Sequence, residues 1–379
     1  MRRRLAALIV LALAAVMAAV ACSSDELEAR DLTLPEAVGQ MLLFGFPGTD
    51  VEPAVAELLD EVRPAGLIVY DYDVRSGGTQ PRNIVSPDQL AALTASLQEH
   101  SDIGLLIAVD AEGGLVNRLK QKYGFPVAVP SAAEMGAGDA AETSRIAAEL
   151  ARELRAAGIN WNLAPVVDVD VYPDSPAIGA LGRAFSADPA EVAAHAGAFA
   201  DAMHAESVVP TLKHFPGHGS AVGDTHLGVT DVTDSFVREV ELAPYRTLFE
   251  QDYAGAVMTN HVVNRTLDPS ALPATLSTAV VTGLLRNELG FEGVVISDDM
   301  GMGAIVEEYT LEHAAVRAVI AGVDVVLLAN QIQDDEAERV LRVRDAILAA
   351  VESGEIPEER IYESAQRVLE LKRRYGLLD

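Results

Sequence analysis

Eight short, almost wholly apolar runs alternate with longer amphipathic stretches along this chain. That alternation restricts the possible folds more than any other feature. The runs cover residues 40–46, 65–70, 104–110, 159–168, 208–214, 254–261, 293–298 and 323–330. Near-continuous Val, Leu and Ile content suits parallel strands covered on both faces. Helical periodicity fills the gaps at 51–62, 87–100, 141–157, 189–206, 236–251, 277–288 and 311–321, and two more helices follow at 335–352 and 357–375. A doubly wound open sheet alternates too. Eight such units in about 345 residues fit a single α/β (β/α)8 TIM barrel better.

Residues 1–21 read as an export signal. Arg2, Arg3 and Arg4 precede an apolar stretch at 5–20, and small residues lead into Cys22. That order marks a targeting segment, not a fold element. An ordinary signal with an incidental cysteine is the plain alternative. The cysteine directly after the apolar run resembles a bacterial lipoprotein cleavage site, which implies lipid attachment at Cys22. Residues 22–32 then read as a polar tether and 33–379 as the folded domain. Cys22 is the one cysteine in 379 residues, so no internal disulfide and no thiolate metal cage is expected. The formal charge of −29 repels phosphates and argues against a nucleic acid partner. The expectation is an extracytoplasmic, membrane-anchored monomer.

Several apolar runs end in polar residues: Asp110, Lys213 with His214, His261, and Asp298 with Asp299. Such groups are costly if buried without partners. On a barrel they would meet at one mouth, the catalytic face. Two irregular stretches, 71–85 and 217–231, follow strands at that same end. Strand alternation turns Asp299 away from the side that Asp298 faces.

The strongest motif is Lys213-His214-Phe215-Pro216-Gly217-His218-Gly219, followed by Asp224-Thr225-His226. Three other stretches accompany it: Asp110-Ala111-Glu112-Gly113-Gly114, Arg183-Ala184-Phe185 and Ile296-Ser297-Asp298-Asp299-Met300. Together they resemble glycoside hydrolase family 3, in its NagZ-like bacterial β-N-acetylhexosaminidase branch. The resemblance extends over nearly the whole chain after the tether. It implies a retaining exo-β-N-acetylglucosaminidase that removes terminal β-1,4-linked N-acetylglucosamine from peptidoglycan fragments. It also implies that Asp298 is the nucleophile and that His226, paired with Asp224, is the acid/base on a mobile loop. Asp110, Arg118, Arg183, Lys213 and His214 match sugar-contacting positions. The chemistry is consistent: a carboxylate attacks the anomeric carbon, and an imidazole exchanges a proton near neutrality. Gly217, Gly219 and Gly223 would supply freedom for loop closure. His218 would hold the loop.

The resemblance implies no cofactor, and neither metal nor cofactor is expected. His214, His218, His226 and Asp224 cluster, but across a Gly-rich loop and without a zinc-binding helix motif. Two departures stand out: Leu115 occupies a position where the family often has a basic residue, and the segment before Arg183 is long. A related β-glucosidase, an N-acetylglucosaminide phosphorylase or a non-catalytic cell-wall sugar-binding lipoprotein are the other readings.

Overall fold

The computed structural model describes residues 26–329 and 336–378. The leader and Cys22 lie outside the described residues, as does Asn330 at the end of the last run.

Each apolar run contributes a strand: β1 Leu42–Gly45, β2 Gly66–Ile68, β3 Leu106–Val109, β6 Trp161–Asn162, β7 Thr211–Phe215, β8 Ala256–Thr259, β9 Val295–Ile296 and β10 Val326–Leu328. A small antiparallel hairpin, β4 Ala111–Gly113 with β5 Val116–Asn117, follows β3 directly. The other strands pair in parallel as two sheets, β10-β1-β2-β3-β6 and β7-β8-β9. Single parallel bridges join the sheets at both edges, Trp161 to Val209 and Ile296 to Val325. The chain is thus a parallel α/β fold with crossover helices between successive strands.

Side chains sort by the two-residue strand period. Leu43, Ile68, Leu106, Ala108, Trp161, Met258, Ile296 and Leu327 form one core built mainly of strand residues. Their sequence neighbours Leu42, Phe44, Leu67, Ile107, Val109, Val257, Val326 and Leu328 join a second core with the helices. Residues 140–156 show why a helix forms. The Asp139 carboxylate accepts from the Ala141 and Glu142 amides at the N-cap, and Ile146, Ala147, Leu150, Ala151 and Leu154 make one buried stripe.

Four departures stand out, two of them set by a proline. The fourth run keeps only Trp161–Asn162 as strand, because Pro165 has no amide to donate to a ladder; Val166 regains a single bridge to Lys213. The stretch 236–251 divides at Leu242 into Arg238–Glu241 and Ala243–Glu250, since the residues before Pro244 resist continuous helix. Residues 279–288 wind as π-helix. Residues 27–31, expected within the tether, pack instead along helix Glu358–Arg374. The Leu27 carbonyl accepts from Arg373, the Ala29 amide donates to Gln366 at 2.9 Å, and Arg30 pairs with Glu359.

Candidate active site

A cavity of about 350 Å³ lies at the C-terminal ends of the strands. All eight residues selected from the sequence line it: Asp110, Arg118, Arg183, Lys213, His214, Asp224, His226 and Asp298. Asp110, Lys213, His214 and Asp298 come from the ends of β3, β7 and β9, and Arg118, Arg183, Asp224 and His226 from the segments after β5, β6 and β7.

Its floor is a charge network. Lys213, 2% exposed, donates to Asp110 Oδ1 at 2.9 Å and lies 2.7 Å from Glu112 Oε1. Arg183 grips Glu112 with two bonds, Nε to Oε2 at 2.8 Å and Nη2 to Oε1 at 2.7 Å. Its Nη1 donates to the Ala177 carbonyl at 2.8 Å. Burial opposes the Glu112 charge, but Arg183 and Lys213 outweigh it and hold the carboxyl well below the usual range. Arg118 stands 3.7 Å from Asp110 Oδ2 and 3.8 Å from Asp71 Oδ1, with its guanidinium 5.5 Å from the Tyr70 ring centroid. Acceptors and donors on one wall suit a ring bearing several hydroxyls.

Lys213 and His214 are neighbours, yet both reach the cavity. The β7–β8 register shifts between Leu212 and Phe215, and such an irregularity re-aims side chains that regular alternation would separate. His214 is held from both sides. Its Nδ1 lies 2.7 Å from Asp168 Oδ2, and its Nε2 lies 3.3 Å from Arg183 Nη2. A guanidinium only donates, so Nε2 is the acceptor and Nδ1 carries the proton to Asp168. His214 thus lines the cavity while bridging Arg183 and Asp168.

Asp298 is partly buried beyond the end of β9, where its Oδ1 accepts the Asp299 amide at 2.9 Å. Burial works against its charge. His214, His261, His226 and the Asp299 amide overcome this and lower the carboxyl, keeping it ionised at neutral pH. Asp299 also borders the cavity, because β9 ends at Ile296 and strand alternation no longer applies. Its carboxylate is committed to the Ala329 amide at 2.8 Å and the Gly301 amide at 3.1 Å. His261, expected at the same mouth, is fully buried and sits 3.0 Å from the Asp299 carbonyl instead.

The loop after β7 adds Asp224 and His226 to the lining. Asp224 Oδ1 accepts the His226 amide at 2.9 Å and lies 2.8 Å from its ring Nδ1, while the imidazole itself is exposed. The carbonyls of Thr225 and His226 accept from the Ala304 and Gly303 amides at 3.1 and 3.3 Å. His218 holds the loop through a side chain: its Nε2 lies 3.3 Å from Thr225 Oγ1. Burial lowers His218 to about 4, so the ring is neutral. Among the loop glycines, Gly217 has φ +141°, which a larger residue resists. Gly219 serves close packing, not freedom: a Cβ there would lie 1.7 Å from the Val169 carbonyl oxygen.

Sequence reading passed over Glu112 and Asp168. Glu112 stands two residues after Asp110, the spacing that returns a side chain to one face. Asp168 closes the fourth apolar run as Asp110 closes the third.

Residues 33–371 match the glycosyl hydrolase family 3 N terminal domain. The chain belongs to this family. It is 39% identical over 277 residues to β-hexosaminidase LpqI of Mycobacterium tuberculosis, covering 71% of this chain and 68% of that protein. It is 29% identical over 370 residues to β-hexosaminidase A of Pseudoalteromonas piscicida, covering 90% of this chain and 61% of that protein. Among solved structures it is similar to the family 3 β-N-acetylglucosaminidase of Paenibacillus sp. str. FPU-7, with 38% identity and a TM-score of 0.83, over 91% of this chain and 63% of that one. The chain therefore spans 61% and 63% of the length of the last two relatives.

Proposed function

We propose that this family 3 protein is a retaining exo-β-N-acetylglucosaminidase, that its eight strands form one closed (β/α)8 barrel, and that it acts on terminal N-acetylglucosamine of peptidoglycan fragments. Closure is supported by the bridges at both sheet edges and by an inner core supplied mainly by alternate strand residues. One observation carries the functional reading: Asp298 and the Asp224–His226 pair border the same cavity. Asp298 would attack the anomeric carbon and form a covalent glycosyl-enzyme. The protonated His226 would give its proton to the departing oxygen, then as free base take one from the attacking water. Asp224 orients the ring and stabilises its charged form. Asp110, Glu112 and Lys213 hold the ring hydroxyls.

Release of 4-nitrophenol from its β-N-acetylglucosaminide, with a mechanism-based fluorosugar trapped on the peptide carrying Asp298, tests this directly. Label on another residue would reject the assignment. His226→Ala should depress kcat/KM for a phenyl glycoside by roughly 10²-fold or more, within the range general acid catalysis supplies. A dinitrophenyl glycoside, whose leaving group needs no proton, should lose far less. Uniform loss across leaving groups would remove His226 from the acid role.

Location is a separate proposal from residues 1–22: extracytoplasmic, with a lipid on Cys22. Cys22→Ala should move the protein from the membrane pellet to the soluble fraction and abolish labelling by radioactive palmitate. Unchanged pelleting would refute the anchor.

A further inference from the structure

Beside the turn that begins the acid–base loop lies a cluster of buried polar groups that the reaction as described does not use. Glu241, at the end of helix Arg238–Glu241, is 1% exposed. Its Oε1 accepts the Val237 amide at 3.3 Å. Its other oxygen faces the turn at 217–220: a Cβ at Gly217 would lie 2.7 Å from Glu241 Oε2 and 2.8 Å from the Glu241 Cβ. Ser220 approaches the same carboxyl, but Oε2 and Ser220 Oγ find no well-formed partner among the described residues. His218 Nδ1, in the same turn, and the hydroxyl of Tyr245 are likewise buried and without a hydrogen-bond partner among the described residues. Unsatisfied polar atoms of this kind persist where they serve a purpose or hold ordered water.

The turn that Glu241 touches leads to the catalytic pair. His218 gives its amide to Asp168 Oδ1 at 2.8 Å and meets Thr225 Oγ1 through its ring. Thr225 stands between Asp224 and His226. Asn260 holds the same turn from β8, donating to the His214 carbonyl at 2.9 Å and the Gly217 carbonyl at 3.3 Å.

We propose that Glu241 is a positioning residue for the acid–base loop: its buried carboxyl braces the turn at 217–220, and the His218–Thr225 contact transmits that placement to the Asp224–His226 pair. This rests on the role proposed above for His226. The groups facing Glu241 on balance favour its protonated form. They are Asp168 from the fourth run, Tyr245 from the next helix, Ser220 from the loop and the Val237 amide. Burial first, with the Asp168 anion adding to it against the Ser220 and Val237 contacts, pushes the carboxyl up to about 7. An amide of the same shape should therefore substitute for it.

The test compares kcat/KM for phenyl and dinitrophenyl β-N-acetylglucosaminides in the full chain. Glu241→Ala should lower the phenyl value about tenfold, part of the roughly 10²–10⁴-fold available from general acid–base catalysis. The dinitrophenyl value and the inhibition constant of free N-acetylglucosamine should stay within about twofold, because the sugar-binding wall is untouched. Glu241→Gln should restore the phenyl value to within about threefold of the parent. Should the alanine variant not fold, Thr225→Val removes the hydroxyl that His218 meets and should give the same leaving-group dependence. Equal losses on both glycosides, or no rescue by glutamine, would overturn the proposal. His226→Ala run alongside separates the two ideas. Leaving-group dependence there, without it in the Glu241 and Thr225 variants, rejects the brace alone; its absence there rejects the acid role and the brace with it.

Discussion

Asp298→Asn is expected to cut turnover of a nitrophenyl β-N-acetylglucosaminide by at least about 10³-fold, a loss of about 4 kcal/mol of transition-state stabilisation. The substitution keeps the side chain's shape and leaves an oxygen to accept the Asp299 amide, a 2.9 Å bond in the parent. What it removes is the negative charge. Burial works against that charge, but the contacts with His214, His261, His226 and the Asp299 amide hold the carboxyl below its usual range. An ionised, partly desolvated carboxylate is a competent nucleophile, whereas an amide is not. Unfolding midpoints should move little, so the loss is chemical. Parental turnover in the Asp298→Asn variant would remove the nucleophile from this position.

Glu112→Gln is expected to destabilise the fold by roughly 3 kcal/mol, because deleting one member of a buried ion pair strands its partners. Arg183 and Lys213 both depend on Glu112, at 2.7 Å each, and among the described residues Lys213 keeps Asp110 as its ion-pair partner when Glu112 is lost. Binding should weaken as well, since both cations form the sugar-facing wall. The pH dependence gives an independent check. The Glu112 carboxyl is depressed in the folded protein relative to about 4.3 when unfolded. Its stabilisation is therefore complete above that unfolded value and fades as pH falls below it. The parent should lose stability between about pH 5 and pH 3 more steeply than the variant does. Urea titrations across that window measure the difference; parallel curves would show that Glu112 contributes no charge-dependent stability.

Most of the fold was legible because buried parallel strands and amphipathic helices carry different periods. All eight apolar runs hold a strand, and helices such as Leu311–Ala321 begin and end where the pattern places them. What escaped depends on single residues or distant contacts. Pro165 cuts the fourth strand short, and Pro244 divides a helix. The short hairpin after β3 has too few residues to show a period, and it carries Glu112. Asp110, Lys213, His214 and Asp298 were readable because polar groups at the ends of apolar strands are conspicuous, whereas Arg118, Arg183, Asp224 and His226 came from the family resemblance. Glu241 was not readable: it lies within a helical stretch rich in charge, and only its packing against Gly217 sets it apart. Nor did local pattern reveal that residues 27–31 dock on a helix more than 300 positions later, with Ala29 bonded to Gln366.

That docked segment has a direction, and the direction decides how the molecule can be presented. Arg374 donates to the Ala254 carbonyl at 3.0 Å, and Leu377 packs on Gly104. Ala254 and Gly104 precede β8 and β3, so the end of the last helix lies beneath the strands, on the side away from the cavity. Leu27 sits at that end, against Arg373. If Cys22 carries the lipid proposed above, the chain leaves the anchor to join the folded body on the side of the strands away from the cavity.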